Sequence, residues 1–267
     1  MKSQFLELPG IGNTGTPVRI EYRWVNPELR ERPLLIFLHE GLGSLAMWKS
    51  WPQDLCDAGR FRGLAYSRPG YGRSTPRRHE THWPTDYLHR QAYEVLPALL
   101  SALEVAASEP FWLIGHSDGA SIALLYAAAF PERVAGAVVM APHVFVETMA
   151  RTGIAATRDA YLEGGLRNKL ARYHDDVDSA FWGWADVWLD SAFKGWNIEQ
   201  EVSRIQAPLL AIQGLTDEYG TLEQLRRIAH AVPATLRLEL PQCGHAPHRD
   251  CPLQVNLAVI DFIDRRV

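Results

Sequence analysis

With 267 residues, 47 % of them hydrophobic, the chain can bury one substantial core, and a single domain carrying an insertion is expected. Its 27 basic and 31 acidic residues leave a formal net charge of −4, which offers no footprint for a phosphate backbone and sets nucleic acid aside as a partner. Three cysteines (Cys56, Cys243, Cys251) are no disulfide framework, and nowhere do 18 uncharged apolar residues follow one another.

The N-terminal stretch Met1-Lys2-Ser3-Gln4-Phe5-Leu6-Glu7 has one Lys and no apolar run of signal-peptide length, so a cytoplasmic protein is expected, without membrane contact and as a monomer or homodimer. Residues 18–24 alternate apolar and polar side chains, as a half-exposed antiparallel strand at a sheet edge would. Apolar runs at 34–38 and 64–67 read as buried strands; the first leads into the Gly-rich turn His39-Glu40-Gly41-Leu42-Gly43-Ser44. A helix is predicted over 87–103. A strand at 111–114 then runs into Gly115-His116-Ser117-Asp118-Gly119 and a small-residue helix over 119–130, stopped by Pro131. The strand at 134–140 follows. Between 142 and 203 the alternation lapses into helices interrupted by Gly, which marks a helical cap inserted into a core formed by 1–141 and 204–267. Strands at 209–213 and 236–240 flank a helix over 221–231, and a last helix over 252–265 opens on Pro252. Strands alternating with helices predict an α/β fold, a mostly parallel sheet with helices on both faces.

Strand, tight glycine turn and helix are the context that makes Gly-x-Ser-x-Gly a nucleophile elbow, with Ser117 raised above the sheet. A serine hydroxyl is a poor nucleophile at neutral pH unless a base takes its proton, and imidazole suits that pH. The acid and the base follow in chain order, each on a loop leaving the C-terminal end of a strand: Asp217 after 209–213 and His245 after 236–240. One helix and one strand separate them, so a right-handed crossover brings the two loops side by side. Glu218 is the adjacent rival to Asp217. Cys243 has no surroundings that would activate a thiol, and His245 with His248 lacks a third ligand, so no metal and no cofactor is expected.

Acyl transfer also requires two donors for the oxygen that becomes negative. The 39–44 turn can supply one from Gly41 or Leu42, and the N–H of Asp118 at the helix start the other. Asp118 also sets a carboxylate beside the developing anion. It either turns away to an Arg or backbone partner or receives a hydrogen bond from a polar or cationic part of the substrate. In the insertion, Phe181, Trp184 and Trp188 share one helical face and either pack the cap down or roof an apolar substituent. The candidate substrate pocket comprises Glu40, His143, Trp182, Trp184 and Trp188.

These features, with the Ser67-Arg68-Pro69-Gly70-Tyr71-Gly72-Arg73-Ser74 turn and the Gly244-His245 ending, resemble the cap-bearing members of the α/β-hydrolase fold family over nearly the whole chain. The resemblance implies an eight-stranded, mostly parallel sheet and, within the family, is greatest to small esterases, enol-lactone hydrolases and carbon–carbon hydrolases of aromatic degradation. Glu40 stands where the family usually has Gly, which leaves the first oxyanion donor open. The expected activity is hydrolysis of a small or medium ester, lactone or thioester through an acyl-enzyme. Carbon–carbon bond hydrolysis and, in another class, a non-catalytic ligand sensor are the alternatives.

Overall fold

The computed structural model describes residues 3–10 and 16–266; Met1 and Lys2 of the N-terminal stretch considered above lie outside it. One eight-stranded sheet runs in the order β1 (Gln4–Leu8), β2 (Val18–Val25), β4 (Arg62–Tyr66), β3 (Leu34–Leu38), β5 (Phe111–His116), β6 (Val134–Met140), β7 (Leu209–Gly214) and β8 (Leu236–Leu240). β2 is antiparallel to both of its neighbours, and every pairing from β4 through β8 is parallel.

The expectation that 18–24 forms the sheet edge is corrected: β1 covers β2 from Gln4↔Tyr22 to Leu8↔Val18, and β1 is the edge. A five-residue strand with all four of its side chains before Leu8 exposed or half-exposed leaves little periodic signal to read.

Side-chain alternation divides the core into two layers. Along β3, Leu34, Ile36 and Leu38 point to the layer shared with α3 (Leu96–Ala102) and α4 (Asp118–Ala129). Leu35 and Phe37 point to the layer under α1 (Trp51–Gly59) and α11 (Pro252–Asp264). The predicted 87–103 helix is composite: α2 (Tyr87–Arg90) passes through a π-helical turn at Gln91–Val95 into α3. α1 has no counterpart among the predicted elements, because its nine residues bury only Trp51, Leu55 and Cys56 as large or medium side chains, beside Pro52 and Gly59 and the exposed Asp54 and Asp57.

Four helices lie between β6 and β7: α5 (Thr148–Leu162), α6 (Gly165–Leu170), α7 (Val177–Leu189) and α8 (Glu199–Val202). α7 starts where Asp176 accepts a hydrogen bond from the Ser179 N–H at 2.8 Å, and its last carbonyls accept from Arg151 on α5. Tyr161 of α5 stacks on Phe181 of α7 with centroids 3.6 Å apart. The remaining helices are α9 (Glu223–Ala231) and α10 (Pro247–Asp250). Among the described residues no helix is long and apolar enough to cross a membrane.

Candidate active site

The C-terminal ends of β3, β5, β7 and β8 deliver four loops to one edge of the sheet, where open parallel sheets bind their ligands. Ser117 sits between β5 and α4 with φ 53° and ψ −118°, a conformation that L side chains rarely adopt, and its N–H is tied to the Met140 carbonyl at 2.9 Å. The turn is possible because its flanks are glycine. A Cβ on Gly119 would stand 1.9 Å from the Leu38 carbonyl oxygen, and one on Gly115 would stand 2.4 Å from that of Gly119.

Ser117 Oγ lies 2.9 Å from His245 Nε2, and His245 Nδ1 lies 2.9 and 3.0 Å from the two oxygens of Asp217. With Nδ1–H donating to the carboxylate, Nε2 is left free to accept the serine proton. Asp217 is 4 % exposed and also accepts from Gln213 Nε2 at 2.6 Å and the Tyr219 N–H at 2.8 Å. Burial alone would raise its pKa, but the His245 imidazole and these donors hold it below the usual carboxylate value. A carboxylate depressed in this way stabilises the fold above its ordinary pKa and gives that up as pH falls through the depressed one. The stability gap between wild type and Asp217→Asn is therefore expected to be widest at neutral pH and to narrow below about pH 4. Urea midpoints measured across that range check it; a gap independent of pH would contradict it.

Glu218, the rival acid, is exposed, and the His245 Nδ1 hydrogen bonds go to Asp217. Burial pushes the Cys243 thiol up to about 12, so it carries no thiolate at neutral pH. His248 packs its ring against Trp48 and Trp51, with centroids 4.9 and 5.1 Å away.

A cavity of about 140 Å³ lies over Ser117 and His245 and is also lined by Glu40, Gly41, Leu42, Asp118, His143, Trp184, Trp188 and Tyr219. Trp182 does not line it. That ring is half-buried and packs edge-on against Tyr161 and Phe181 instead. Gly41 lies beneath the Trp184 indole, where a Cβ would meet Nε1 at 2.2 Å. Asp118 is the first residue of α4, so its N–H has no acceptor within the helix. Beyond Glu40, Tyr219 and His245, which both spaces share, a groove of about 560 Å³ opens past Trp48, His116 and His248.

The Asp118 carboxylate is held by three neighbours. It accepts from the Tyr87 hydroxyl at 2.8 Å and Trp188 Nε1 at 3.2 Å, and Arg68 Nη2 lies 3.5 Å away. Burial raises its pKa despite these partners. Arg68 is itself fully buried, donates to the Glu40 carbonyl at 2.8 Å and lies over the Tyr71 ring. The Ser67–Ser74 turn thus holds up both the nucleophile helix and the 39–44 loop.

His39 is neutral. Its Nε2 accepts the Arg68 N–H at 3.0 Å, so Nδ1–H donates to the Glu40 carbonyl, and burial lowers its pKa well below the ordinary value. His116, just before the nucleophile, joins three loops: Nε2–H donates to the His245 carbonyl at 2.6 Å, and Nδ1 lies 3.4 Å from the Glu40 carboxylate. Burial works against the charge of Glu40, yet the hydrogen bond and charge of His116 hold its pKa well below normal. The sequence alone assigns no individual site role to Arg68, Tyr87, His116, Gln213 or Tyr219. Of these, His116 and Gln213 carry a positional signal, being the residue before the nucleophile and the one that ends the strand before the acid loop.

Residues 33–181 match the family model described as alpha/beta hydrolase fold. Among curated proteins, the chain is 24 % identical to Protein PHYLLO, chloroplastic, of Arabidopsis thaliana over 89 % of its own length, but spans only 16 % of that protein. It is 26 % identical to the putative carbamate hydrolase RutD of Pseudomonas savastanoi pv. phaseolicola, over 88 % of this chain and 95 % of that one. Of solved structures, one from work on carboxylesterases of Nitrososphaera gargenis superposes with a TM-score of 0.76 at 18 % identity, covering 98 % of both chains.

Proposed function

The chain belongs to the α/β-hydrolase fold family, and from that premise we propose that it is a serine hydrolase acting on a small or medium ester, lactone or thioester. The observation that carries this reading is the closed relay from Ser117 Oγ through His245 to Asp217 beneath a cavity, with every link at 2.9 to 3.0 Å. His245 takes the proton as Ser117 attacks the carbonyl, and Asp217 stabilises the imidazolium without accepting the proton itself. The N–H groups of Asp118 and of Gly41 or Leu42 receive the oxyanion, the second benefiting from a loop that Arg68 and His39 hold at the Glu40 carbonyl. His245 then protonates the leaving group, and a water activated by the same imidazole releases the acyl group.

The insertion at 142–203 serves as a cap whose α7 supplies Trp184 and Trp188 as the roof of the cavity. The curated relative named as a hydrolase and aligned over most of both chains is consistent with hydrolytic chemistry at a carbonyl. Steady-state assays with short-chain 4-nitrophenyl esters, a thioester and a lactone test the reading. Saturable turnover of at least one is expected; rates equal to the buffer background for all three classes would overturn it.

A further inference from the structure

His143 follows β6 and is 3 % exposed, set in the wall of the cavity that holds Ser117. Its backbone is fixed on both sides: its carbonyl accepts from Ser121 Oγ at 2.6 Å, and the next N–H, of Val144, donates to Gln224 Oε1 at 2.8 Å. The ring meets Trp188 edge-on with centroids 5.1 Å apart and lies 5.9 Å from the His245 ring. Despite this confinement, Nδ1 is buried with no hydrogen-bond partner. Buried polar atoms in native folds are nearly always paired. Nδ1 is closed off, whereas Nε2 makes no hydrogen bond among the described residues and is not enclosed, so it is the ring nitrogen that a ligand in the cavity can meet.

Burial pushes the His143 pKa down to about 3, which makes the ring neutral, with one N–H donor and one acceptor nitrogen. Among the described residues no Lys or Arg lines the cavity. Its two carboxylates already have partners: Asp118 is engaged by Tyr87, Trp188 and Arg68, and Glu40 lies 3.4 Å from His116 Nδ1. An anionic group entering here would be taken out of water with no free Lys or Arg to pair with it. His245, which protonates the leaving group, lines both spaces, whereas Ser117 lines only the small aromatic cavity; the proposal sets the short acyl part there and the leaving group toward the larger groove.

On the reading of the chain as a serine hydrolase, we propose that His143 is a specificity residue that hydrogen-bonds an uncharged hydroxyl or keto oxygen on a short acyl group, and that the cavity discriminates against anionic acyl groups. The test uses the full chain and the 4-nitrophenyl esters of butanoate, of 2-, 3- and 4-hydroxybutanoate, and of hemisuccinate. Wild type is expected to favour at least one hydroxylated ester over butanoate by about tenfold in kcat/KM, and to disfavour the hemisuccinate ester by about tenfold, each being the discrimination that one hydrogen bond or one unpaired charge in a closed site supplies. In His143→Leu the hydroxyl preference is expected to fall to about one; in His143→Gln, whose amide can still donate and accept, part of it should remain. Turnover of butanoate by wild type with no hydroxyl preference, or a preference unchanged in His143→Leu, overturns the role of His143. A hemisuccinate ester handled as well as butanoate overturns the charge discrimination. Failure of wild type to hydrolyse any of these esters, with Ser117 also inert to a fluorophosphonate, strikes instead at the hydrolase reading beneath the proposal.

Discussion

Replacing Ser117 by alanine is expected to lower kcat for the best ester substrate by about 10⁴-fold or more while leaving the unfolding midpoint close to that of wild type. On the proposed mechanism the chemical loss is large because the hydroxyl is the atom that forms the acyl-enzyme, and the loop amides and substrate binding alone sustain only residual catalysis. The fold should tolerate the change because Ser117 Oγ makes one side-chain hydrogen bond, to His245, while the bonds that shape the turn use backbone atoms. Initial rates and urea denaturation on the same preparations check both halves. A variant that keeps a tenth of wild-type kcat would remove Ser117 from the chemistry.

The second large effect concerns stability. Asp118→Ala leaves the Arg68 guanidinium fully buried and without its carboxylate, and breaking a buried pair by deleting one partner costs about 3–5 kcal/mol. It also removes the acceptor for the Tyr87 hydroxyl and the more distant of two acceptors for Trp188 Nε1, so α2 and α7 stay joined through Tyr87 and Trp188 but lose their tie to α4. Asp118→Asn keeps the shape and an oxygen acceptor for Tyr87, and a markedly smaller loss is expected. Urea midpoints of the two variants separate these outcomes; equal stability of Asp118→Ala and wild type would show that the network does not hold the molecule together. The same arrangement decides between the two roles open to Asp118 from sequence: its carboxylate is engaged by Tyr87, Trp188 and Arg68, so it is not free for a substrate cation.

Much of this architecture is legible in the chain because the buried strands are short unbroken apolar runs bounded by turn residues, and because a strained elbow needs Gly115 and Gly119 in the positions where they occur. The relay residues are legible for a related reason: a fixed chain order and strand-end loops restrict the candidates to Asp217 and His245. What the chain conceals is contact between distant segments. Arg68 reaches Asp118 and the Glu40 carbonyl across the sheet edge, and Tyr219 packs its ring 4.8 Å from His245 while its hydroxyl pairs with Thr157 of α5 at 2.8 Å. No local periodicity encodes such pairings. β1 escaped for the opposite reason, being too short and too exposed to stand out, and Trp182 stands with Trp184 and Trp188 in the sequence although two residues of helix turn it roughly 200° around the axis from Trp184.

The central claim is that Ser117 is an activated nucleophile, and covalent labelling addresses it most directly. On incubation with a fluorophosphonate, one adduct per chain is expected, located by peptide mass spectrometry at Ser117, with labelling slowed by orders of magnitude in His245→Ala. An unmodified protein, or an adduct on another residue while Ser117 stays free, would contradict the account.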